Sequence, residues 1–303
     1  MAAAADPRAL LEQVTLIMVT HHSAHCLAPL AGALAALPHL IVVDNASADG
    51  TRAELARTLP QALVLASPSN LGFGGANNLA LERVQTPYAL LFNPDCALTE
   101  AAVLALMQAA QRWPEAALLV PQLLDARGRP TLNYGWPRHL WAPSGPAADA
   151  PCCVGAACGA VMLLRLAALR PIGFFDTGFF LYYEDDDLCA RLLAARLPIV
   201  LEPAIRIAHH SRGSTRSPTP WRSEYARGLH HAQSKLRYLA KYAGVPAAQR
   251  KRQRALVLAL AALLLRLLLP APRLVARALG RLAGLWRWRA DGFVKAPEPH
   301  PAP

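Results

Sequence analysis

The chain has 303 residues, enough for one large α/β domain with an appendage or for two modest domains, and 54% of them are hydrophobic. Its formal net charge is +11, yet from Val245 onward eleven Lys or Arg face only two acids, so the excess lies in the tail and the body is near neutral. The six cysteines form no CxxC pair, which argues against a zinc ribbon or a dithiol redox motif, and the first eight residues lack the basic-then-apolar order of a secretory signal. Reduced thiols in a cytosolic protein are the expectation.

Residues 14–19 form a continuous apolar run that reads as a buried strand ending in Thr20-His21-His22. Helical spacing follows over 24–37, then a second short strand at 40–43 closing on Asp44 and Asn45. A helix over 52–59, a strand over 62–66 and a glycine-rich loop over 70–75 come next. A helix over 76–84 and a strand over 88–92 lead to Asn93-Pro94-Asp95. Strands that are apolar throughout, alternating with helices, predict a mostly parallel sheet covered on both faces. In such sheets a ligand sits beyond the carboxyl ends of the strands. Here those ends carry Thr20, Asp44, Asn45, Asn70, Gly72, Asn93 and Asp95, one polar rim. The glycines at 72, 74 and 75 fit neither GxGxxG nor the phosphate-loop pattern.

The second half reads as a helix over 99–112, a strand over 116–120 and a long Gly/Pro/aromatic segment over 125–151. A loop of that length inside a compact domain points to function or mobility. A strand is expected within 155–164, a helix over 188–196, strands at 199–201 and 205–208, and a helix over 223–242. Between them lies Glu184-Asp185-Asp186-Asp187, four adjacent acids in an acid-poor chain. Clustered carboxylates repel one another, so the cluster fits a helix N-terminus, where acids meet free N–H groups, or a working site. Asp187 and Arg191 stand four apart on one helix face and form a structural pair.

The motifs Val-Val-Asp-Asn-Ala-Ser-Ala-Asp-Gly-Thr (42–51), Asn-Leu-Gly-Phe-Gly-Gly-Ala-Asn (70–77), Phe-Asn-Pro-Asp (92–95), Gly-Ala-Val-Met-Leu (159–163) and Gly-Phe-Phe-Asp-Thr-Gly-Phe-Phe-Leu-Tyr-Tyr-Glu-Asp-Asp-Asp-Leu (173–188) resemble the family 2 glycosyltransferases, in their bacterial rhamnosyltransferase-like branch. The resemblance covers roughly residues 14–242. It implies a GT-A fold, with a nucleotide-binding half over about 10–120 and an acceptor and catalytic half over about 121–242. It also implies a nucleotide-diphosphate sugar donor, a divalent cation (Mg²⁺ or Mn²⁺) and inversion at the anomeric carbon. Asp95 then matches the metal-binding position, Asn93 orients ribose or water, and His209 falls where the family carries a metal-binding histidine, with His210 as the alternative. Asp185 matches the general base and Glu184 its support, while Asp186 is expected to be exposed and dispensable. Thr20, Asp44, Asn45, Asn70 and Gly72 would line the nucleotide cleft. His21 replaces the family's usual Tyr, which puts nucleotide preference in doubt.

The implied activity is transfer of a sugar, with dTDP-L-rhamnose leading as donor, to a cell-surface glycan or its lipid-linked precursor. Galactofuranosyl, N-acetylglucosaminyl and other hexosyl donors fit the same motifs. A non-catalytic nucleotide-sugar-binding subunit and a nucleotidyltransferase are the competing classes. Retention of Asp95 with Glu184 and Asp185 counts against the first, and the absence of a basic Gly-rich loop after the first strand against the second. Residues 243–303 form a basic, apolar helical tail outside the resemblance. Its run over 255–269 is interrupted by Arg266 and too short to span a bilayer. Leu and Arg alternation with Trp286 and Trp288 suits a helix pair in the membrane interface, and a hairpin packed on the protein is the alternative. The expected location is the cytoplasm, peripheral at the inner face of the membrane. No nucleic-acid-reading motif accompanies the charge, and residues 298–303 are expected to be disordered.

Overall fold

A computed structural model of the chain describes residues 6–138, 140, 144–211, 213–216, 219–267 and 271–290. A short helix α1 (Pro7–Leu11) leads into β1 (Val14–Thr20), followed by α2 (Ala24–Leu34), β2 (Leu40–Asn45), α3 (Thr51–Thr58), β3 (Leu63–Ser67), α4 (Gly72–Leu81), β4 (Tyr88–Phe92) and α5 (Glu100–Arg112). Next come β5 (Leu118–Leu124), β6 (Tyr134–Gly135), β7 (Cys152–Cys153), β8 (Ala156–Ala157), β9 (Val161–Arg165), α6 (Leu166–Leu169), α7 (Glu184–Ala194) and β10 (Ile199–Ala208). Three helices close the described chain: α8 (Pro220–Ala243), α9 (Val245–Leu267) and α10 (Pro272–Arg287).

The central sheet has the order β3-β2-β1-β4-β9-β5-β10-β7. β1 pairs in parallel with both β2 and β4, so the strand order reverses at the end of β1. Such a switch point opens a crevice for a ligand at the carboxyl ends. Continuous apolar strands follow from two covered faces. Leu16, Met18, Val42 and Leu90 meet α2 and α5 on one side, while Ile17, Ile41, Val43 and Leu91 meet α4 and α7 on the other.

Two elements depart from the sequence expectation. The 70–75 loop is largely the first turn of α4, which begins at Gly72 with a left-handed φ of 75°. Expected as two strands, residues 199–208 form one, because a register shift between Glu202 and Arg206 lets β10 bend around Pro203 without leaving β5. The sheet is parallel on its β1 side, but β9 enters antiparallel between β4 and β5. That reversal brings the Gly159 turn, just ahead of β9, to the same sheet edge as the ends of β1 and β4.

The C-terminal helices have their own core, formed by Leu236, Ala240, Ala248, Ala259, Leu285 and Trp288. This core straddles residue 242, so the change in composition there is not a break in packing. α10 lies directly on α8: a Cβ at Gly228 or Gly280 would collide with the carbonyl of Arg277 or Tyr225 on the facing helix. On its other side α9 leaves Val257, Leu258, Leu264 and Leu265 between 58% and 70% exposed. No helix among the described residues is long and apolar enough to cross a membrane. The stretch 298–303, expected to be disordered, lies outside the described residues.

Candidate active site

Helix α7 sets the site. Tyr182 and Tyr183 both adopt left-handed backbone angles (φ 69° and 67°), a conformation that costs non-glycine residues roughly 1–2 kcal/mol each. The double turn drives the chain into α7 with all four acids in its first turn. Glu184, Asp186 and Asp187 are buried there. Asp187 accepts from Arg191 Nε at 2.9 Å, as its spacing predicts, and also from Lys241 Nζ at 2.6 Å and Tyr242 Oη at 2.8 Å on α8.

Asp185 points toward the sheet edge. Its Oδ2 accepts the Gly159 N–H at 2.8 Å, and its Oδ1 accepts the Asp186 N–H at 2.9 Å. A Cβ on residue 159 would stand 3.3 Å from the Asp185 Cβ, so this approach depends on glycine. Glu184 has one carboxyl oxygen buried without a partner among the described residues. Burial first, then the Asp185 charge, pushes its pKa well above the usual carboxylate value.

Asp186 corrects the expectation of an exposed acid. It is buried and paired with Arg138 Nε at 3.0 Å. Arg138 sits in the long 125–151 segment, so a contact nearly fifty residues away in sequence hides the acid, and no local pattern announces it. Burial and the Asp185 charge raise the Asp186 pKa to about 7, against the opposing pull of Arg138.

At the end of β4, Asp95 is buried. Its Oδ2 accepts the N–H groups of Gly213 and Ser214 at 2.9 and 3.0 Å. Its Oδ1 is buried without a hydrogen bond and faces His209 Nε2 at 3.4 Å, at the end of β10. Asp95, Cys96 and His209 bring potential ligand atoms within 4.8 Å of one another. Cys96 donates its thiol to the Ala160 carbonyl, and burial holds its pKa well above the free value, so it offers a poor ligand to a hard cation. An orphaned carboxylate oxygen beside an imidazole fits a divalent cation with the remaining ligands supplied by a substrate. His210 lies outside this group, exposed, with its backbone N–H on the Asp95 carbonyl.

Both ends open into one cleft of about 410 Å³. Asn45, Asn70, Gly72, Asn93, Asp95, Glu184, Asp185 and His209 all line it. Asn45 is the organiser of the nucleotide-side rim: its amide donates to Asn70 Oδ1 (3.0 Å) and the Gly72 carbonyl (3.2 Å), and its Oδ1 accepts the Leu71 N–H (2.8 Å). Thr20 and Asp44 sit behind this wall. Thr20 donates to the Val43 carbonyl at 3.3 Å, and Asp44 is held by Arg52 Nε at 2.6 Å. His21, which takes the place of the family's Tyr, does reach the cleft, with Nδ1 2.9 Å from the Asn45 carbonyl. Arg227, His231 and Arg277, which no motif marks, also line the cleft, from α8 and α10.

Comparison with known proteins agrees with this geometry. The description "Glycosyl transferase family 2" matches residues 15–149. An N-acetylglucosaminyl-diphospho-decaprenol L-rhamnosyltransferase of Mycobacterium tuberculosis is 30% identical over 209 residues, covering 58% of this chain and 67% of the relative. The chain is a family 2 glycosyltransferase. Rhamnosyltransferase WbbL of Escherichia coli is 36% identical over 83 residues, 27% of this chain and 30% of that protein. Among solved structures, a mannosyltransferase from Pyrobaculum calidifontis in complex with GDP-Man and Mn²⁺ superimposes with a TM-score of 0.54 at 16% identity, over 90% of this chain and 87% of that one. The fold of this glycosyltransferase is therefore GT-A, with a helical C-terminal region.

The buried acids of α7 make stability depend on pH in a specific direction. Unfolded carboxyls titrate near pH 4, whereas Asp186 in the folded protein holds its proton to about pH 7, and Glu184 shifts the same way. The folded state thus binds more protons across this window, and its stability falls as pH rises from about 4 to about 7. Each such group contributes a slope of up to about 1.4 kcal/mol per pH unit. Thermal melts of Asp186→Asn between pH 5 and 7 are expected to show a shallower decline than wild type; identical slopes would mean that Asp186 is ionised throughout.

Proposed function

We propose that this glycosyltransferase is a metal-dependent inverting enzyme that moves L-rhamnose from a dTDP-linked donor to a hydroxyl of a diphospholipid-linked glycan precursor. The observation that supports the reading best is the arrangement of the two carboxylates in one cleft. Asp185 is aimed by the Gly159 N–H, and Asp95 keeps an unsatisfied oxygen beside His209. The relative from Mycobacterium tuberculosis supplies the donor sugar and acceptor class by analogy.

In this mechanism Asn45, Asn70, Gly72 and Asn93, with His21, hold the nucleotide along the rim above the strand ends. Thr20 and Asp44 act from behind it, Asp44 by fixing the Ser47 turn through a 3.3 Å hydrogen bond. Asp95 and His209 would hold Mg²⁺ or Mn²⁺, which neutralises charge developing on a leaving diphosphate when it is bound. Asp185 accepts the proton of the acceptor hydroxyl as its oxygen attacks the anomeric carbon. A single displacement from the face opposite the diphosphate inverts that centre. The Gly159 and Asp186 N–H groups hold the carboxylate oriented before the proton arrives. Burial pushes the Glu184 pKa up, which disfavours a second negative charge next to the base.

The exposed apolar side of α9, flanked by the exposed cations Arg250, Lys251 and Arg254, supports peripheral contact with an anionic membrane surface, where such an acceptor resides. That reading places the protein at the cytoplasmic face.

Asp185→Asn is expected to lower turnover by about 10²–10⁴-fold, the scale of a lost general base, while donor binding by calorimetry stays near wild type. Turnover within twofold of wild type would remove Asp185 from the mechanism. Asp95→Ala is expected to weaken Mn²⁺-dependent donor binding by at least about tenfold, and an unchanged affinity in excess Mn²⁺ would exclude it as a ligand. For the membrane contact, the double variant Leu258→Glu with Leu265→Glu should float with anionic vesicles more than about tenfold less than wild type, given what two exposed leucines contribute on burial. Equal flotation would place the contact elsewhere.

A further inference from the structure

The wall that α8 and α10 give to the cleft carries positive charge that the reaction centre does not use. Arg227 and Arg277 both line the cleft, and they share one acid: Glu224 lies 2.9 Å from Arg227 Nη1 and 3.8 Å from Arg277 Nη1. His231 lies beside them on the same wall. Burial, reinforced by the fields of Lys235, Arg281, Arg277 and Arg138, lowers its pKa to about 4, so it stays neutral. Among the described residues, neither Lys235 nor Arg281 has a carboxylate within ion-pair distance. Two guanidinium groups sharing one acid leave excess positive charge at the cleft, with Lys235 and Arg281 adding to the field at His231, and this favours an anion of more than one charge. Guanidinium groups are suited to phosphate oxygens, which they meet with two parallel N–H donors.

We propose that Arg227 and Arg277 bind the diphosphate of a lipid-linked acceptor and so select sugar-diphospho-lipid over a neutral glycolipid or free sugar. The proposal rests on the acceptor class in the proposed function. Two placements favour the acceptor diphosphate over the donor's. In that reading the donor diphosphate is met at Asp95 and His209, on the β4 and β10 ends, whereas these arginines come from the C-terminal helices. In addition, α10 joins the cleft to the helix whose apolar side is exposed, because it packs against both α8 and α9. A molecule with a doubly charged head and a hydrocarbon tail matches a cationic wall on α8 and α10 and an exposed apolar side on the helix packed against α10.

The test uses the full chain and two measurements. In the first, binding of farnesyl diphosphate and of farnesol is followed by calorimetry without donor, for wild type, Arg277→Gln and Arg273→Gln, the last an exposed cation of the same helix outside the cleft lining. Farnesyl diphosphate should bind at least about tenfold more weakly to Arg277→Gln, a loss typical of a charge-paired contact, and equally well to Arg273→Gln. Equal loss in both variants, or no binding to wild type, would overturn the proposal. In the second, transfer is measured to an N-acetylglucosaminyl-diphospho-lipid and to the same sugar on an uncharged alkyl chain. Arg277→Gln should raise KM for the diphosphate acceptor about tenfold and shift KM for the uncharged acceptor by less than twofold. A rise in KM for the donor instead would assign the arginines to the donor diphosphate. If farnesyl diphosphate binds in an Arg277-dependent manner while no nucleotide sugar is turned over, the proposed function fails and the anion site stands.

Discussion

Four carboxylates in the first turn of one helix are the constraint on which the site depends. Three of them are buried, and ionised neighbours at that spacing in a poorly solvated place repel by several kcal/mol if left without partners. The protein resolves the conflict by giving each acid a different neighbour. Asp187 takes Arg191, Lys241 and Tyr242; Asp186 takes Arg138; Asp185 takes two backbone N–H groups; and burial pushes the Glu184 pKa up, against ionisation. The helix N-terminus adds its own free N–H groups and positive dipole end. Gly159, Arg138, Lys241 and Tyr242 come from other parts of the chain, so the same interactions that relieve repulsion also fix α7 against the sheet edge, the long loop and α8. Capping and function are one arrangement here.

Much of this was legible in sequence because it is local. The apolar strands, the polar residues at their ends and the i,i+4 pair of Asp187 with Arg191 all follow from short-range pattern, and the recurring motifs carry the family. What was not legible depends on contacts distant in sequence. Asp186 looked exposed because Arg138, its partner, lies in a segment without periodicity. The Asn70–Gly75 stretch looked like a loop because glycine disfavours helix, yet α4 starts there. Its glycines allow close packing instead, Gly74 lying against the Phe175 side chain, a tertiary gain that propensity does not count. The histidine pair 209–210 could be ordered only by the sheet, since the end of β10 turns the His209 ring toward the Asp95 carboxylate, whereas His210 meets Asp95 through its backbone N–H.

The tail shows the same limit most plainly. Its composition separates it from the rest of the chain, and both a membrane-facing helix pair and a hairpin packed on the protein fit its Leu and Arg alternation. The structure satisfies parts of both descriptions on different faces. α10 meets α8 through Gly228 and Gly280, which let the backbones approach closely, while α9 keeps an apolar side outward. Because α10 is pinned at such short range, the backbone of Arg277 is held at the cleft wall. A charged side chain on a loosely attached tail would lose much of its binding free energy to ordering; one on a helix locked by glycine contacts loses little. The close helix crossing is thus what brings a residue far outside the family motifs to the cleft that Asp95 and Asp185 line. In the proposed reading it also joins two properties that composition alone treats as separate, attraction to an anionic surface and recognition of an anionic substrate. The crossing of α8 and α10 brings Arg227 and Arg277 to the cleft, while Arg250, Lys251 and Arg254 of α9 stay exposed.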